Sequence, residues 1–434
     1  MTGEGRGSAG SQPPPASLAW LVWALGAALY FIAFYQRVAP AVLTRELSLD
    51  FSLSAAALGN LSAFYFYSYV AVQIPTGLLA DRWGPRRVLA VGALLTAAGT
   101  LLFALAPGVA MANAGRLAIG AAGGVAFVAM LKLASHWMPS RQFVLASGVA
   151  LFVGVLGATL GGAPLRIAVE AFGWRPVMAA SAAATALVSV AIWIVVRDDP
   201  SERGYASYQP SEELERDAAS VATHLREVFA YRNTWLVLAI PGAYSAILLS
   251  FAGLWGVPFL VSQHGFTTRE AASLASAMLV AWSLSGLAYG QLSERMGRRR
   301  PLMAAGLVAM LALWSVVVFV HELPRAALIA LLIAIPAVGG SFILTFAFAK
   351  ESVPGHLAGT VSGIANMGVM LGGMLMQPLI GILLDRHWDG RMADGLRSYD
   401  FSAFQWAFAP TFAWGIAALV LLAFARETYC KPLR

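Results

Sequence analysis

Arg37, Arg116 and Lys132 each stand inside a long apolar run. An ionised group in such surroundings is costly, and usually has a task. A guanidinium there can hold a carboxylate through paired N–H donors. Gln36 precedes Arg37. Tyr65, Tyr69 and Gln73 fall at i, i+4 and i+8, so one helix face carries all three, while Tyr67 must point elsewhere. Asn366 and Gln377, eleven apart, again share roughly one face. Trp255 sits in GLWGVP, where Gly256 and Pro258 permit a kink. These residues, with Arg37 and Arg116, are the candidate liners of a site for a small polar solute. Glu170 lies four residues after Arg166 and can exchange protons with solvent or pair with that arginine. Glu170, Arg166 and Lys132 are therefore the candidates for coupling to a proton. The six histidines show no ligand spacing, and Cys430 is the single cysteine. The sequence predicts no cofactor, no metal site and no enzyme.

A second group is a string that occurs twice, GLLADRWGPRR from Gly77 and GQLSERMGRRR from Gly290. Gly77 and Gly290 let another helix come close. Asp81 and Glu294 place a carboxylate that can face a helix N-terminus or the adjacent Arg82 and Arg295. Gly84 and Gly297 permit a tight reversal. Arg86, Arg87 and Arg298, with the arginines after it, hold each turn at a membrane face. Two such loops predict a pair of charged latches, made in one conformation and broken in another.

The elements that carry these residues follow from composition. Of 434 residues, 59% are hydrophobic and 12% charged, about half the charge of a soluble chain. Twelve apolar stretches are long enough to cross a bilayer: 18–40, 55–80, 87–106, 110–136, 143–169, 176–197, 234–262, 271–293, 300–320, 324–349, 357–384 and 402–425. Spanning backbone must satisfy its own hydrogen bonds, so these are predicted as helices. The polar segment 198–233 divides them six and six, with Ser211 capping an amphipathic helix that carries Leu214, Ala218, Val221, Leu225 and Val228. The expected organisation is a disordered tail over 1–17, a first bundle over 18–197, the linker, a second bundle over 234–425 and a short tail over 426–434. Most Lys and Arg fall on one side, which predicts both termini in the cytoplasm. The formal charge of +7 is read as that bias and not as a nucleic-acid surface.

The repeated loop resembles the signature of the major facilitator superfamily, closely in the first copy and less so at Ser293-Glu294 in the second. The resemblance runs from about residue 18 onward. It implies an all-α integral membrane protein with twelve transmembrane helices in two pseudo-symmetric six-helix bundles. It also implies a central site and alternating access. FYQRVAPAVLTREL, SAFYFYSYVAVQIPTG, FAGLWGVPFL and GMLMQPLIGILLD are similar to bacterial phagosomal-type nutrient transporters and their lysosomal relatives. Arg37 followed by Ala39-Pro40 also resembles the organic-anion symporters of the superfamily. In those an Asp usually precedes the arginine, and here Gln36 removes it. Span 5, GVALFVGVLGATLGGAP, partly matches the superfamily's antiporter motif and predicts close packing at Gly148, Gly157 and Gly161.

The expected function is secondary active or facilitative transport of a small polar organic solute. A carboxylate-bearing one is favoured: an amino acid, a short peptide or an organic acid. Multidrug or metabolite efflux is the alternative, and a non-transporting sensor on the same fold is another. The expected setting is a monomer in a bacterial inner membrane, with protons as the candidate coupling ion.

Overall fold

The computed structural model describes residues 12–208 and 221–433; within these, the surroundings of Ile74, Gly77, Leu78, Asp81, Val221 and Ala222 lie outside the description. The first half runs α1 (Ala16–Val42), the short α2 (Thr44–Asp50), α3 (Ala55–Trp83), α4 (Pro85–Ala104), α5 (Val109–Trp137), α6 (Ser140–Leu160), α7 (Ala163–Phe172) and α8 (Trp174–Val195). Helix α9 (Val221–Val228) follows in the linker. The expected start of that helix, with Ser211, Leu214 and Ala218, lies outside the described residues.

The second half runs α10 (Arg232–Ser250), α11 (Gly256–His264), α12 (Thr268–Met296), α13 (Arg300–Phe319), α14 (Arg325–Gly339), α15 (Leu344–Glu351), α16 (Ala358–Arg386) and α17 (Phe401–Phe424). A two-stranded hairpin, β1 (Met392–Ala393) with β2 (Leu396–Arg397), precedes α17. Eleven helical segments among the described residues are long and apolar enough to cross a membrane. Helix α3, with 29 residues, completes the twelve, in two bundles of six.

Three spans are broken where the sequence weakens the helix. Span 5 breaks at Gly161-Gly162, between α6 and α7. Span 7 carries a π-helix over Phe251–Trp255, between α10 and α11; such widened turns interrupt the regular ladder. Span 10 tightens to a 3-10 turn over Gly340–Ile343. The distortion expected around Trp255 is therefore real.

The core shows how the halves meet. One apolar cluster contains most of the buried second half, and continues into the first half through Val42, Leu58, Tyr65, Phe103 and Trp174. These lie at the end of the bundle away from the repeated loops. A separate cluster of the first half, around Trp23, Leu89, Met130, Trp137 and Ile192, lies at the loop end. The two halves thus share one core at the far end and have separate cores at the loop end.

Candidate functional site

The seam between α3 and α16 can be followed from the far end inward. Asp385, near the end of α16, accepts from the backbone N–H of Ala55 and Ala56 at 3.1 and 2.8 Å. It places a carboxylate on the positive N-terminus of α3. Tyr399 and Arg397 also donate to Asp385, at 2.8 and 2.9 Å. Further in, a Cβ at Gly381 would overlap the carbonyl of Ala55, and one at Gly59 would overlap that of Gln377. Only glycine allows backbones to approach this closely. The edge of Phe66 then packs on Gly373. Next, Asn366 Nδ2 donates to the Tyr69 hydroxyl at 3.3 Å. Among the described residues this is the polar contact across the seam that lies nearest the loop end.

Arg37 sits at this place. It is 7% exposed, with its guanidinium 4.2 Å from the Phe34 ring, 5.3 Å from Tyr69 and 5.6 Å from Tyr65. Tyr65 and Tyr69 stack at 5.9 Å, as their spacing predicts, while Tyr67 turns away to donate to Asn60 at 2.9 Å. Tyr65 also donates to the carbonyl of Ala33 at 3.2 Å, which fixes its ring against α1. Aromatic faces attract a cation but do not neutralise it. Among the described residues no carboxylate pairs with Arg37, and its Nε is buried without an acceptor. Gln73, one turn nearer the loop end, is half-buried with Oε1 lacking a donor. Arg37, Tyr65, Tyr69 and Asn366 are thus brought together from both halves, with Gln73 beside them. Phe34 was missed in the sequence, although it lies three residues before Arg37 on the same helix face.

The other candidates are placed elsewhere. Arg116, 2% exposed, donates to the carbonyls of Gln36 at 2.7 Å and Ser62 at 3.4 Å. It ties α5 to α1 and α3. A Cβ at Gly120, one turn on, would overlap the carbonyl of Tyr65, which is why that face of α5 needs a residue with no side chain. The Gln36 side chain points into its own half, donating to Thr100 at 3.1 Å and Ser181 at 3.3 Å. Trp255 donates to the carbonyl of Gln377 at 2.9 Å, and Gln377 to that of Leu249 at 2.8 Å. The two residues bind α16 to the π-turn beneath the site. Lys132 donates to the carbonyl of Ala80 at 3.0 Å, toward the loop end.

Arg166 and Glu170 lie at the far end, where Arg166 pairs with Glu46 at 2.6 Å and Glu170 at 2.9 Å. Glu170 reaches across to Arg269 of the second half at 2.6 Å. A depression of about 510 Å³ beside them is lined by Glu170, Val261, Phe266, Thr267, Thr268 and Arg269. Its charges are already matched.

The described parts of the repeated loops are held within their own halves. Gly84 and Gly297 do adopt positive φ, 79° and 62°. The backbone N–H of Arg86 donates to Asp198 at 2.6 Å, and its guanidinium to the carbonyl of Trp193 at 2.8 Å. In the second half the N–H groups of Arg299 and Arg300 donate to Glu427 at 2.9 and 3.0 Å, and the Arg300 guanidinium to the carbonyl of Ala423 at 2.9 Å. Each loop is thus held by a carboxylate that follows the last helix of its own bundle. Arg82, Arg87, Gly290, Glu294, Arg295 and Arg298 bear no cross-half contact among the described residues, and the surroundings of Gly77 and Asp81 are not described. The carboxylates Asp198, Glu427 and Asp385 were not anticipated. Asp385 had a legible signal, an acid closing the apolar run GMLMQPLIGILLD.

A family model described as Major Facilitator Superfamily matches residues 23–377. The chain is 26% identical to the probable sulfoacetate transporter SauU of Cupriavidus necator, over 82% of this chain and 85% of that one. It is 24% identical to a quinolone resistance transporter of Acinetobacter baumannii, over 85% and 87%. Among solved structures, it resembles a bacterial homologue of the human lysosomal transporter Spinster in an inward-facing, unoccupied conformation. The TM-score is 0.74 at 19% identity, with 96% and 97% of the two chains covered, a likeness that establishes the fold.

Proposed function

Because the chain belongs to the Major Facilitator Superfamily, a family of membrane transporters and not of enzymes, we propose that it carries a small organic anion bearing a carboxylate. The single observation behind this reading is Arg37. A buried guanidinium without a counter-charge among the described residues, where the two halves begin to part, is a site waiting for an anion. Tyr69 and Asn366 would contact the rest of the solute from either half. The probable sulfoacetate transporter of Cupriavidus necator supports the reading, since sulfoacetate carries a carboxylate beside its sulfonate. The basic loops Arg86-Arg87 and Arg298 to Arg300 favour the loop end as the cytoplasmic side, in a bacterial inner membrane with both termini inside. The site would then be open to the cytoplasm in this conformation.

Efflux is the second reading, favoured by the rings around Arg37 and by the quinolone resistance relative. One experiment separates the two. Melting of the purified protein is followed with sulfoacetate, tartrate, ascorbate, a quinolone and a hydrophobic cation. A ligand that binds the native state raises the melting temperature by mass action. Stabilisation by the organic acids, lost in Arg37→Gln, is the expected result. Stabilisation by the hydrophobic cation alone would overturn the anion reading.

A further inference from the structure

Arg37 has a consequence for the transport cycle as well as for binding. Among the described residues its charge has no counter-charge. Glu46 and Glu170 are taken by Arg166, and Asp385 by the N-terminus of α3, Arg397 and Tyr399. Asp198 and Asp199 are held at the loop end by Arg86 and His136. Arg116, close by against the same Tyr65 ring at 5.2 Å, adds a second positive charge whose described acceptors are neutral carbonyls. The groups facing Arg37 are Phe34, Tyr65 and Tyr69. None of them supplies an acid.

A carrier that works by alternating access must pass through a state closed at both ends. With the site open, solvent entering from the loop end reaches only the small part of Arg37, 7%, that is still exposed. Closing the loop end removes that solvent, and an unpaired charge in low dielectric is strongly disfavoured. A bound anion supplies the missing partner. The barrier to reorientation is therefore lower for the loaded carrier than for the empty one. We infer that the protein is an anion exchanger: the loaded form crosses readily, the empty form returns slowly, and one anion leaves as another enters. This inference rests on the anion reading of Arg37 and adds the mode of coupling to it. The exchange needs no proton carrier at the site.

The test uses the full chain in liposomes with radiolabelled sulfoacetate outside. One set of vesicles contains unlabelled sulfoacetate and the other contains only sucrose. Potassium is equal on both sides with valinomycin present, so that no membrane potential builds up to limit uptake. The expected result is initial uptake at least about tenfold faster into sulfoacetate-loaded vesicles, equivalent to about 1.4 kcal/mol of barrier. Equal rates in the two sets would overturn the exchange inference and leave the anion reading standing. Uptake in neither set, with sulfoacetate, tartrate and ascorbate all failing to raise the melting temperature, would overturn both.

Discussion

Arg37 and Arg116 lie in the same half against the same Tyr65 ring, yet their acceptors give them opposite expectations. Arg116 donates from both terminal nitrogens to two carbonyls on two other helices, although its Nε, like that of Arg37, is buried without an acceptor. Hydrogen bonds to a charged group contribute about 1.5–3 kcal/mol each, so Arg116→Gln should lower the melting temperature markedly. Arg37→Gln removes a charge with no carboxylate partner among the described residues and should leave the melting temperature of the ligand-free protein unchanged or higher, while abolishing stabilisation by sulfoacetate. Melting curves of both variants with and without ligand check this. The reverse pattern would move the anion site to Arg116. A second pair of neighbours splits in the same way. Burial pushes the Asp198 carboxyl up despite the Arg86 N–H and guanidinium beside it. Burial also acts on Asp199, but hydrogen bonds from His136, Ser201 and Ser207 outweigh it and hold this carboxyl below the usual range. A raised carboxyl contributes stability that is lost as pH rises, and a depressed one stability that is lost as pH falls through its folded value. At neutral pH Asp198→Asn should therefore be neutral or stabilising and Asp199→Asn destabilising. The Asp199→Asn deficit should close only below about pH 4. The residues were unevenly legible in the sequence. The Tyr65–Tyr69–Gln73 face followed from helical spacing alone. The partners of Arg116 did not, because they lie 80 and 54 positions away and are backbone atoms that no motif records.

At the scale of the element, α3 and α16 form the main seam between the halves, and the Asp385 end of it is the stronger fastening. The carboxylate meets two N–H groups at a helix N-terminus, an interaction of about 1–2 kcal/mol. The Glu170–Arg269 pair also crosses the halves, but its side chains are 34% and 56% exposed, and such pairs contribute about 1 kcal/mol or less. Asp385→Asn should thus shift the population toward opening at the far end by about 5–30-fold, whereas Glu170→Gln should shift it little. Cysteine accessibility at Ser54, beneath the seam, would report both. An equal shift in the two variants would remove the primacy of Asp385. The twelve helices were legible because lipid forces every apolar stretch of sufficient length into one regular form. The breaks were partly legible. Gly161 is expected to pack within a continuous span, and instead α6 ends at Leu160 and the adjacent Gly162 lies against Ser276 of the other half. The described contacts between halves do not test the latches expected from the repeated loops, since the surroundings of Gly77 and Asp81 lie outside the description. A loop that can bond across the halves in one conformation needs other partners when the halves part there, and Asp198 and Glu427 supply them.

For the whole molecule, the shared core at the far end and the divided core at the loop end describe one state of a two-state machine. The seam offers a direct test, since α3 and α16 run antiparallel along it from Asp385 and Ala55 to Asn366 and Tyr69. Exposed Ser52 and Arg386 flank the far end, and exposed Arg82 and Gly359 the loop end. With Cys430 replaced by Ser, spin labels at each pair measure the two ends separately. Without ligand the far-end pair should give a short, narrow distance and the loop-end pair a longer one. If loading permits occlusion, as the charge of Arg37 requires, sulfoacetate should add a shorter loop-end population while the far end stays closed in part of the ensemble. In Arg37→Gln the closed population should be present without ligand, because the charge of Arg37 no longer opposes closure. This last outcome separates the account from simple ligand cross-bridging between Tyr69 and Asn366. Cross-bridging predicts no closure without ligand in either protein. If the ligand-free Arg37→Gln distances match those of the parent, the charge of Arg37 does not gate the molecule.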